Sequence, residues 1–373
     1  MPTRIFLLLA LLLSAGGARA QHEAQNWYFG KNVGLSFVGG APTPLLYSAM
    51  NTYEACAAVS DSAGQLLFYT NSEVVWNRHH QLMPDGSGLG GHSSATQGAV
   101  ILRRPGSATQ YYVFTVDGCD TNLAGGLRYS LVDLTADAGR GAVITRAQPL
   151  DTGRVTEKLT VVPHANGLDS WVVVHAWQSD RFLAYLVTGA GIAPAPVTSA
   201  LGSVHAGGGG ALRNANAVGY LKASPNGRQL ALGVRDEDFE LFDFDNATGR
   251  LSHFVRLPSI YRSYGVAFSP DGSRLYGTDL DGFRVYQFNL RAGSAAAIAA
   301  SRVEVGNTSG YAGALQLAPD GKIYVAQYNR IYLSVITDPN ALGAACGFQL
   351  DALHLNDRLC QVGLPNYGVI SKR

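Results

Sequence analysis

Short apolar stretches separated by proline-glycine turns recur in the second half of the chain. Three segments each contain an apolar run, a Pro-Asn-Gly or Pro-Asp-Gly triplet and a second apolar run. Proline presets the backbone of a turn and glycine takes the positive φ that other residues avoid, so each segment predicts a β-hairpin. The three segments are Leu221–Leu232, Val266–Tyr276 and Leu315–Val325.

A third apolar stretch follows each hairpin, and a further turn leads to a fourth. The predicted third strands are Phe239–Phe244, Phe283–Phe288 and Ile331–Ile336. The turn prolines at 225, 270 and 319 are 45 and 49 residues apart. Four-stranded units at this spacing are typical of the blades of a β-propeller.

Weaker copies of the same unit fill the first half of the chain. They span 57–76, 99–133 and 159–187, and they bring the number of complete predicted blades to six. Helical patterns are nearly absent. The alanine-rich stretch Ser294–Ala300 is short and lies where two strands of a blade should be joined, so we interpret it as a loop.

The two ends of the chain supply a seventh blade. Trp27–Gly30 and Gly34–Phe37 resemble the second and third strands of a blade without its first strand, which Gly363–Ile370 can provide. An open ring would leave unpaired strand edges. The sequence therefore predicts an all-β, seven-bladed β-propeller of four-stranded antiparallel blades, closed by N- and C-terminal strands that share one blade. A two-sheet sandwich would not explain the repeated turns.

The N-terminus has the pattern of a secretory signal peptide. A basic start at Arg4 is followed by an apolar run from Ile5 to Leu13 and by the small residues that end at Ala20. The run is shorter than the roughly 20 residues that cross a bilayer. We therefore expect a signal peptide at 1–20, a single propeller domain at 21–373, no membrane span and a secreted, monomeric protein.

Composition excludes one class of partner. Of 28 basic residues, Arg4 and Arg19 belong to the leader, so the mature chain has 26 against 27 acidic residues. No basic run is present, so the phosphate-neutralising surface of a nucleic-acid-binding protein is not expected. Four cysteines in a secreted chain suggest disulfides.

Eight short phrases of the sequence carry a resemblance when they are taken together: Asn26–Gly30, Glu54–Asp61, Leu66–Thr70, Val75–Asn77, Ser93–Gln97, Glu157–Leu159, Gly219–Pro225 and Gly363–Asn366. They resemble the N-terminal propellers of large secreted Bacteroidetes proteins associated with gliding motility and type IX secretion. The resemblance covers nearly the whole mature chain, in the family's order. It implies a YVTN- or WD40-like repeat propeller outside the cytoplasm. The chain lacks the family's downstream sorting domain, so we expect a periplasmic or released protein rather than an anchored one.

No motif assigns a catalytic residue, a cofactor or a metal. The chain has no nucleophile elbow, no zinc-protease helix motif and no phosphate loop with its lysine. Asp236–Asp238 could hold calcium, but a solvated loop is the preferred interpretation. His175 and His205 are interpreted as packed, hydrogen-bonded histidines rather than ligands.

Geometry gives the candidate binding residues. The first strand of each propeller blade lines the central channel, so the residues that lead into it surround one mouth. Here they include Glu54, Gln97, Glu157 and Lys158. Polar groups that converge on a funnel can bind a small ligand; the alternative is that they hydrogen-bond neighbouring blades or channel water.

The same geometry bears on the cysteines. Cys56 and Cys119 are predicted on one face of adjacent blades, which makes a Cys56–Cys119 disulfide feasible and leaves Cys346–Cys360 as the second. Four cysteines allow three pairings, and a strand between Cys346 and Cys360 could separate them.

The main interpretation is a non-catalytic binding propeller at the bacterial envelope or exterior, whose partner is a glycan, peptide or protein. One alternative is a propeller hydrolase or lactonase with a site at the channel mouth, which would need a metal or two carboxylates in the funnel. Glu54 and Glu157 are two blades apart, a wide gap for such a pair. The other alternative is a passive scaffold.

Overall fold

Seven antiparallel sheets form a ring in the computed structural model, which describes residues 22–209, 214–259 and 262–368. The predicted seven-bladed propeller is confirmed. The expected signal peptide lies outside the described residues. Among the helices of the described part of the chain, none is long and apolar enough to span a membrane.

The chain begins in the shared blade and then builds six complete blades in order. The shared blade has strands Asn26–Phe29, Val33–Ser36 and Thr43–Leu45 (β1–β3). Blade 1 has Ala57–Ser60, Leu66–Thr70, Val74–Asn77 and Leu82–Ser87 (β4–β7). Blade 2 has Ala99–Arg103, Gln110–Val116, Leu127–Asp133 and Ala142–Asp151 (β8–β11). Blade 3 has Val155–Pro163, Ser170–Ala176, Ser179–Thr188, Gly191–Ile192 and Val197–His205 (β12–β16).

The second half repeats the unit with less variation. Blade 4 has Leu221–Ala223, Gln229–Gly233, Phe239–Asp245 and Arg250–Leu257 (β17–β20). Blade 5 has Ser263–Phe268, Arg274–Asp279, Arg284–Asn289 and Val303–Asn307 (β21–β24). Blade 6 has Ala312–Leu317, Ile323–Gln327, Tyr332–Ile336 and Phe348–His354 (β25–β28). Short helical segments are Ala136–Gly139 and Ala295–Ala300 (α1, α2), with 3₁₀ turns at Cys119–Thr121, Ala215–Ala217 and Gly343–Cys346.

The predicted proline-glycine turns join the first and second strands of blades 4 to 6. Gly227 and Gly272 both have φ of +67°, a conformation in which a Cβ would be strained. The pattern therefore predicts these hairpins for a physical reason, since few other residues accept the turn.

The expected loop at Ser294–Ala300 is wrong. Ala295–Ala300 forms a short helix between β23 and β24, and the Ser294 hydroxyl caps it by accepting a hydrogen bond from the Ala297 amide at 3.1 Å. Alanine has the highest helix propensity and serine is a favoured N-cap. These local preferences decide the structure of the connection.

The C-terminal stretch closes the ring. The Val362 amide donates to the Tyr53 carbonyl at 3.2 Å, and the Val362 carbonyl accepts from the Ala314 amide at 2.8 Å. The stretch thus lies between the inner strands of blades 6 and 1, as predicted. The shared blade also packs on blade 6 through Trp27, whose ring centroid is 5.8 Å from that of Tyr324.

Neither predicted disulfide is formed, because all four cysteines are free. Cys346 packs between blades 5 and 6, whereas Cys360 packs in the large central cluster together with Cys56. Cys119 lies in the loop between β9 and β10. The prediction considered only which face of the ring each cysteine lies on. It could not show that Cys346 and Cys360 belong to different apolar clusters.

Candidate functional site

One mouth of the channel contains a polar pocket of about 520 Å³, called the upper pocket below. The loops that lead into the first strands and the loops that join second to third strands emerge on this face, because adjacent strands are antiparallel. Glu54 precedes β4 and Arg262 precedes β21, while Arg235 lies between β18 and β19. Side chains from several blades therefore converge on one pocket.

Glu54 is a buried carboxyl that lines this pocket. Its residue is 6% exposed, and the Tyr264 hydroxyl donates to its Oε1 at 2.7 Å. Among the described residues no hydrogen bond reaches the other carboxyl oxygen. Burial, and next the negative charge of Glu157, raise the pKa of Glu54 well above its usual range. Such a carboxyl holds its proton to a higher pH than an exposed glutamate does, and once ionised it is a stronger base.

Two arginines give the pocket a positive side. Arg262 is held by Asp281 and by Asp236, whose Oδ1 lies 3.3 Å from its Nε. Arg235 also lines the pocket and makes no ion pair within 4 Å with a carboxylate of the described residues. The positive charge of Arg235 favours the ionised form of Glu54 and so partly offsets the rise in the pKa of that carboxyl. Arg235 is thus a cation available to an anionic group in the pocket.

Aromatic rings form a ledge on the rim. Tyr53 and Tyr311 line the pocket and are 43% and 41% exposed. Both contact Tyr328, at centroid distances of 5.5 and 5.8 Å, and Tyr311 also contacts Phe283. Exposed rings beside a polar pocket present flat apolar faces to a ligand that is polar at its edges.

Glu157 and Lys158 lie behind the pocket rather than in it, and both are fully buried. Glu157 accepts from the Thr96 amide and hydroxyl at 2.9 and 2.7 Å and from the Cys119 amide at 2.7 Å. The Lys158 ammonium donates to three carbonyls that end the 3₁₀ turn at 215–217. Burial lowers the pKa of Lys158 to about 7. Their contacts position loops of the upper pocket.

Gln97 lies deeper, where it joins inner strands across the channel. Its Oε1 accepts from the Leu221 and Leu159 amides at 2.6 and 3.2 Å, and its Nε2 donates to the Leu221 carbonyl and to Asn366 Oδ1, both at 3.0 Å. Of the four residues predicted at the mouth, the structure therefore places Glu54 on the pocket wall and the other three in contacts between blades.

The acidic loop is tied into ion pairs. Asp236 pairs with Arg262, and Asp238 Oδ2 lies 2.6 Å from Arg256 Nε. Across the described residues no group of three or more His, Cys, Asp or Glu side chains is placed to hold a metal ion. The carboxylates of Asp236 and Asp238 each pair with an arginine, so this segment is not the solvated loop that the sequence suggested.

Two stacked histidines lie in the protein interior near Lys158. The rings of His175 and His205 are fully buried, with centroids 3.6 Å apart, and His205 Nε2 is 3.5 Å from Glu240 Oε2. Burial lowers the pKa of both rings well below 6.5, and neighbouring positive charge on Lys158 adds to this. Both rings are therefore neutral in the folded protein.

This stack predicts acid sensitivity. Below pH 6.5 the unfolded histidines bind protons that the folded ones do not, so the stability present above pH 6.5 is lost as the pH falls, by up to about 1.4 kcal/mol per pH unit for each ring. We expect the His175→Phe variant to show a shallower fall in unfolding free energy between pH 6.5 and 5, measured by denaturant titration. The exposed His79→Phe variant is the control, and equal slopes for both variants and the wild type would contradict the prediction.

Part of the site escaped prediction. Arg262 and Tyr264 lie where the first strand of blade 5 begins, the same kind of position that indicated Glu54, so the same rule could have found them. Arg235 and Asp281 lie in loops between second and third strands, whose path the repeats do not predict. Only the folded ring brings these loops to the mouth.

The fold is similar to that of solved structures from several bacteria. A candidate 6-phosphogluconolactonase from Bacteroides uniformis ATCC 8492 has a TM-score of 0.54 and 15% identity, over 89% of this chain and 98% of that chain. A protein from Lactobacillus plantarum has 0.54 and 13%, over 91% and 98%. A candidate 6-phosphogluconolactonase from Bacteroides fragilis NCTC 9343 has 0.53 and 11%, over 91% and 97%. No family model and no curated protein sequence matches this chain.

At these identities the likeness shows the fold alone. It nevertheless corrects one expectation, since the main interpretation took the propeller as a non-catalytic binding module. Two of the three similar propellers are named as candidate 6-phosphogluconolactonases, and this finding goes against the non-catalytic interpretation. That interpretation rested on the architecture and on a family resemblance rather than on a site. The residues of this pocket come from separate blades, so no linear motif marks it.

Proposed function

We propose that the protein is a lactonase that hydrolyses the internal ester of a sugar acid in the upper pocket. The observation that carries the proposal is the buried Glu54 carboxyl, with its raised pKa, on the wall of a pocket that also contains an arginine without a carboxylate partner among the described residues. A general base and a cation for the developing oxyanion are what ester hydrolysis needs. The similar propellers named as candidate 6-phosphogluconolactonases support this class of substrate.

The proposed reaction needs one water and no cofactor. The ionised Glu54 carboxylate removes a proton from water while the water oxygen attacks the lactone carbonyl carbon. Arg235 stabilises the negative charge that develops on the carbonyl oxygen. Collapse of the tetrahedral intermediate breaks the bond between the acyl carbon and the ring oxygen, which takes the proton from Glu54. The product is the open-chain hydroxy acid, and Glu54 is again ionised.

The rim supports a sugar-derived substrate. A lactone ring has hydroxyl groups at its edge and apolar C–H groups on its faces, and the rings of Tyr53 and Tyr311 can contact such a face. The polar groups on the wall, including Asp120 and Ser94, can accept or share the hydroxyl hydrogen bonds. In this mechanism the aromatic ledge orients the lactone ring, and Glu54 activates the water that attacks its ester.

The compartment is a further part of the proposal. The N-terminal pattern of a signal peptide supports action outside the cytoplasm. The resemblance to the propellers of secreted gliding-associated proteins supports the same location. We therefore propose that the substrate is an extracytoplasmic sugar-acid lactone.

The test is hydrolysis of δ-gluconolactone and of its 6-phosphate, followed by pH-stat and corrected for spontaneous opening. The proposal predicts saturable hydrolysis of at least one of them. Rates equal to spontaneous opening for both would overturn it.

Replacing Arg235 should lower activity while the protein still folds. We expect Arg235→Met to lower kcat about 10²- to 10³-fold, the usual effect of removing one oxyanion donor. The exposed Arg250→Met variant removes a guanidinium far from the pocket and should keep the wild-type kcat. An Arg235→Met enzyme with unchanged kcat would exclude Arg235 from the reaction.

A further inference from the structure

The opposite mouth of the channel holds a larger cavity of about 710 Å³, called the lower cavity below. The proline-glycine turns of blades 4, 5 and 6 form its rim, and the turns begin at Pro225, Pro270 and Pro319. Phe268 and Leu315 contribute to its apolar walls. A concave, mostly apolar cavity of this size can enclose a small organic molecule.

A buried lysine lies on the wall of this cavity. Lys222 is 7% exposed, and its ammonium donates to Gln316 Oε1 at 2.8 Å and to Asn366 Oδ1 at 3.2 Å. The ammonium also lies 5.5 Å from the centroid of the Tyr220 ring. An ammonium has three donors, and these two amide oxygens account for two of them.

Among the described residues, no carboxylate pairs with the ammonium of Lys222. No carboxylate of the described residues lies within 4 Å of its Nζ, and the cavity's Asp271 is bound by Ser269, Ser273 and Arg291. A buried cation without a counter-ion is costly. Burial accordingly lowers the pKa of Lys222 to about 7.

We propose that the lower cavity is a second ligand site, which binds a small carboxylate with an apolar body. The carboxylate pairs with the Lys222 ammonium, and the apolar body contacts Phe268 and Leu315. The ligand thus supplies the counter-ion that the described residues do not. This site is separated from the upper pocket by the contacts that Gln97 and Asn366 make across the channel.

The site predicts a specific pH dependence. Only protonated Lys222 attracts the anion, so affinity should be constant below pH 7 and fall by up to tenfold per pH unit above it. The other titratable groups near the ammonium are the Cys56 thiol, whose pKa burial raises, and the Tyr220 phenol, whose pKa burial raises well above 10. Both stay neutral at pH 6 to 8.5. The side chains of His164, Asp271 and Tyr367 also line the cavity, so the loss of the pH dependence in Lys222→Met, and not the profile alone, assigns the change to Lys222.

The probes are benzoate and benzyl alcohol, measured by calorimetry at pH 6 and pH 8.5. We expect benzoate to bind the wild type at pH 6. Its affinity should be at least tenfold lower for Lys222→Met at pH 6, and at least tenfold lower for the wild type at pH 8.5. Benzyl alcohol should bind weakly, with an affinity that does not change with pH. Lys322→Met, which removes a partly exposed lysine near the rim that lies 3.9 Å from Asp320, should bind benzoate like the wild type. Lys222→Arg, which keeps the charge, should retain binding at pH 8.5 if Lys222→Met does not fold.

Three results would overturn the proposal. They are no benzoate binding at millimolar concentration at pH 6, equal affinity at both pH values, or loss of benzoate binding in Arg235→Met rather than in Lys222→Met. The last result would place benzoate in the upper pocket. Lactone hydrolysis is measured independently, so failure of the lower site leaves the proposed lactonase activity standing, and the reverse also holds.

Discussion

Replacing Glu54 by glutamine is expected to lower kcat for lactone hydrolysis about 10²- to 10⁴-fold, the usual contribution of a general base. Glutamine has nearly the same shape and its side-chain oxygen can still accept the hydrogen bond from Tyr264. It cannot take a proton from water. The measurement is kcat by pH-stat at neutral pH, with the exposed Glu304→Gln variant as the matched control.

Stability provides a second readout for the same variant. Because the folded pKa of Glu54 lies above its unfolded value, the stability that the protonated group contributes is fully present below about pH 4.3 and is lost as the pH rises through the folded pKa. Glutamine has no such loss. Glu54→Gln should therefore gain thermal stability relative to the wild type between pH 5 and pH 8. A variant that is less stable and inactive would suggest misfolding, and one with wild-type kcat would remove Glu54 from the mechanism.

The second large effect is expected at Gly363, where the C-terminal stretch passes the backbone of Glu54. A Cβ at this glycine would lie 1.8 Å from the Glu54 carbonyl oxygen and 2.7 Å from its Cα. Backbone atoms on both sides must move apart, so Gly363→Ala should cost about 3 kcal/mol or more, at the upper end of overpacking effects. The same shift moves Glu54, so activity should fall as well.

Denaturant unfolding and lactone hydrolysis measure the two effects. Gly310→Ala is the control, since a Cβ there meets only ordinary contacts, the nearest at 3.5 Å. We expect that variant to remain within about 1 kcal/mol of the wild type. Wild-type stability for Gly363→Ala would mean that the ring is not closed by the path described for 362–366.

The fold could be predicted from the sequence because its signals are local. A turn that needs proline and a glycine at positive φ repeats at blade spacing, and it marks the hairpins of blades 4 to 6. The short helix at Ala295–Ala300 was missed because its alanines lie where the repeat predicts a loop. The two predicted disulfides were wrong because the neighbours of a cysteine side chain depend on how adjacent sheets pack.

The site could be predicted only in part. The rule that residues before a first strand surround the mouth found Glu54, but it also selected Gln97 and Lys158, which bond to backbone groups of neighbouring blades. A sequence does not distinguish a polar side chain that faces a pocket from one that links two blades. Arg235 depends on the path of a loop, and its role became visible only beside Glu54.

The most direct test of the proposed lactonase is the pH dependence of kcat/KM for the better of the two gluconolactones, after correction for spontaneous opening. If Glu54 is the base, kcat/KM should rise with pH through a midpoint well above 4.5, because the carboxyl must be ionised to act. The rise should be absent in Glu54→Gln. A profile without that rise, or the same profile in the variant, would contradict the assignment of the upper pocket as the catalytic site.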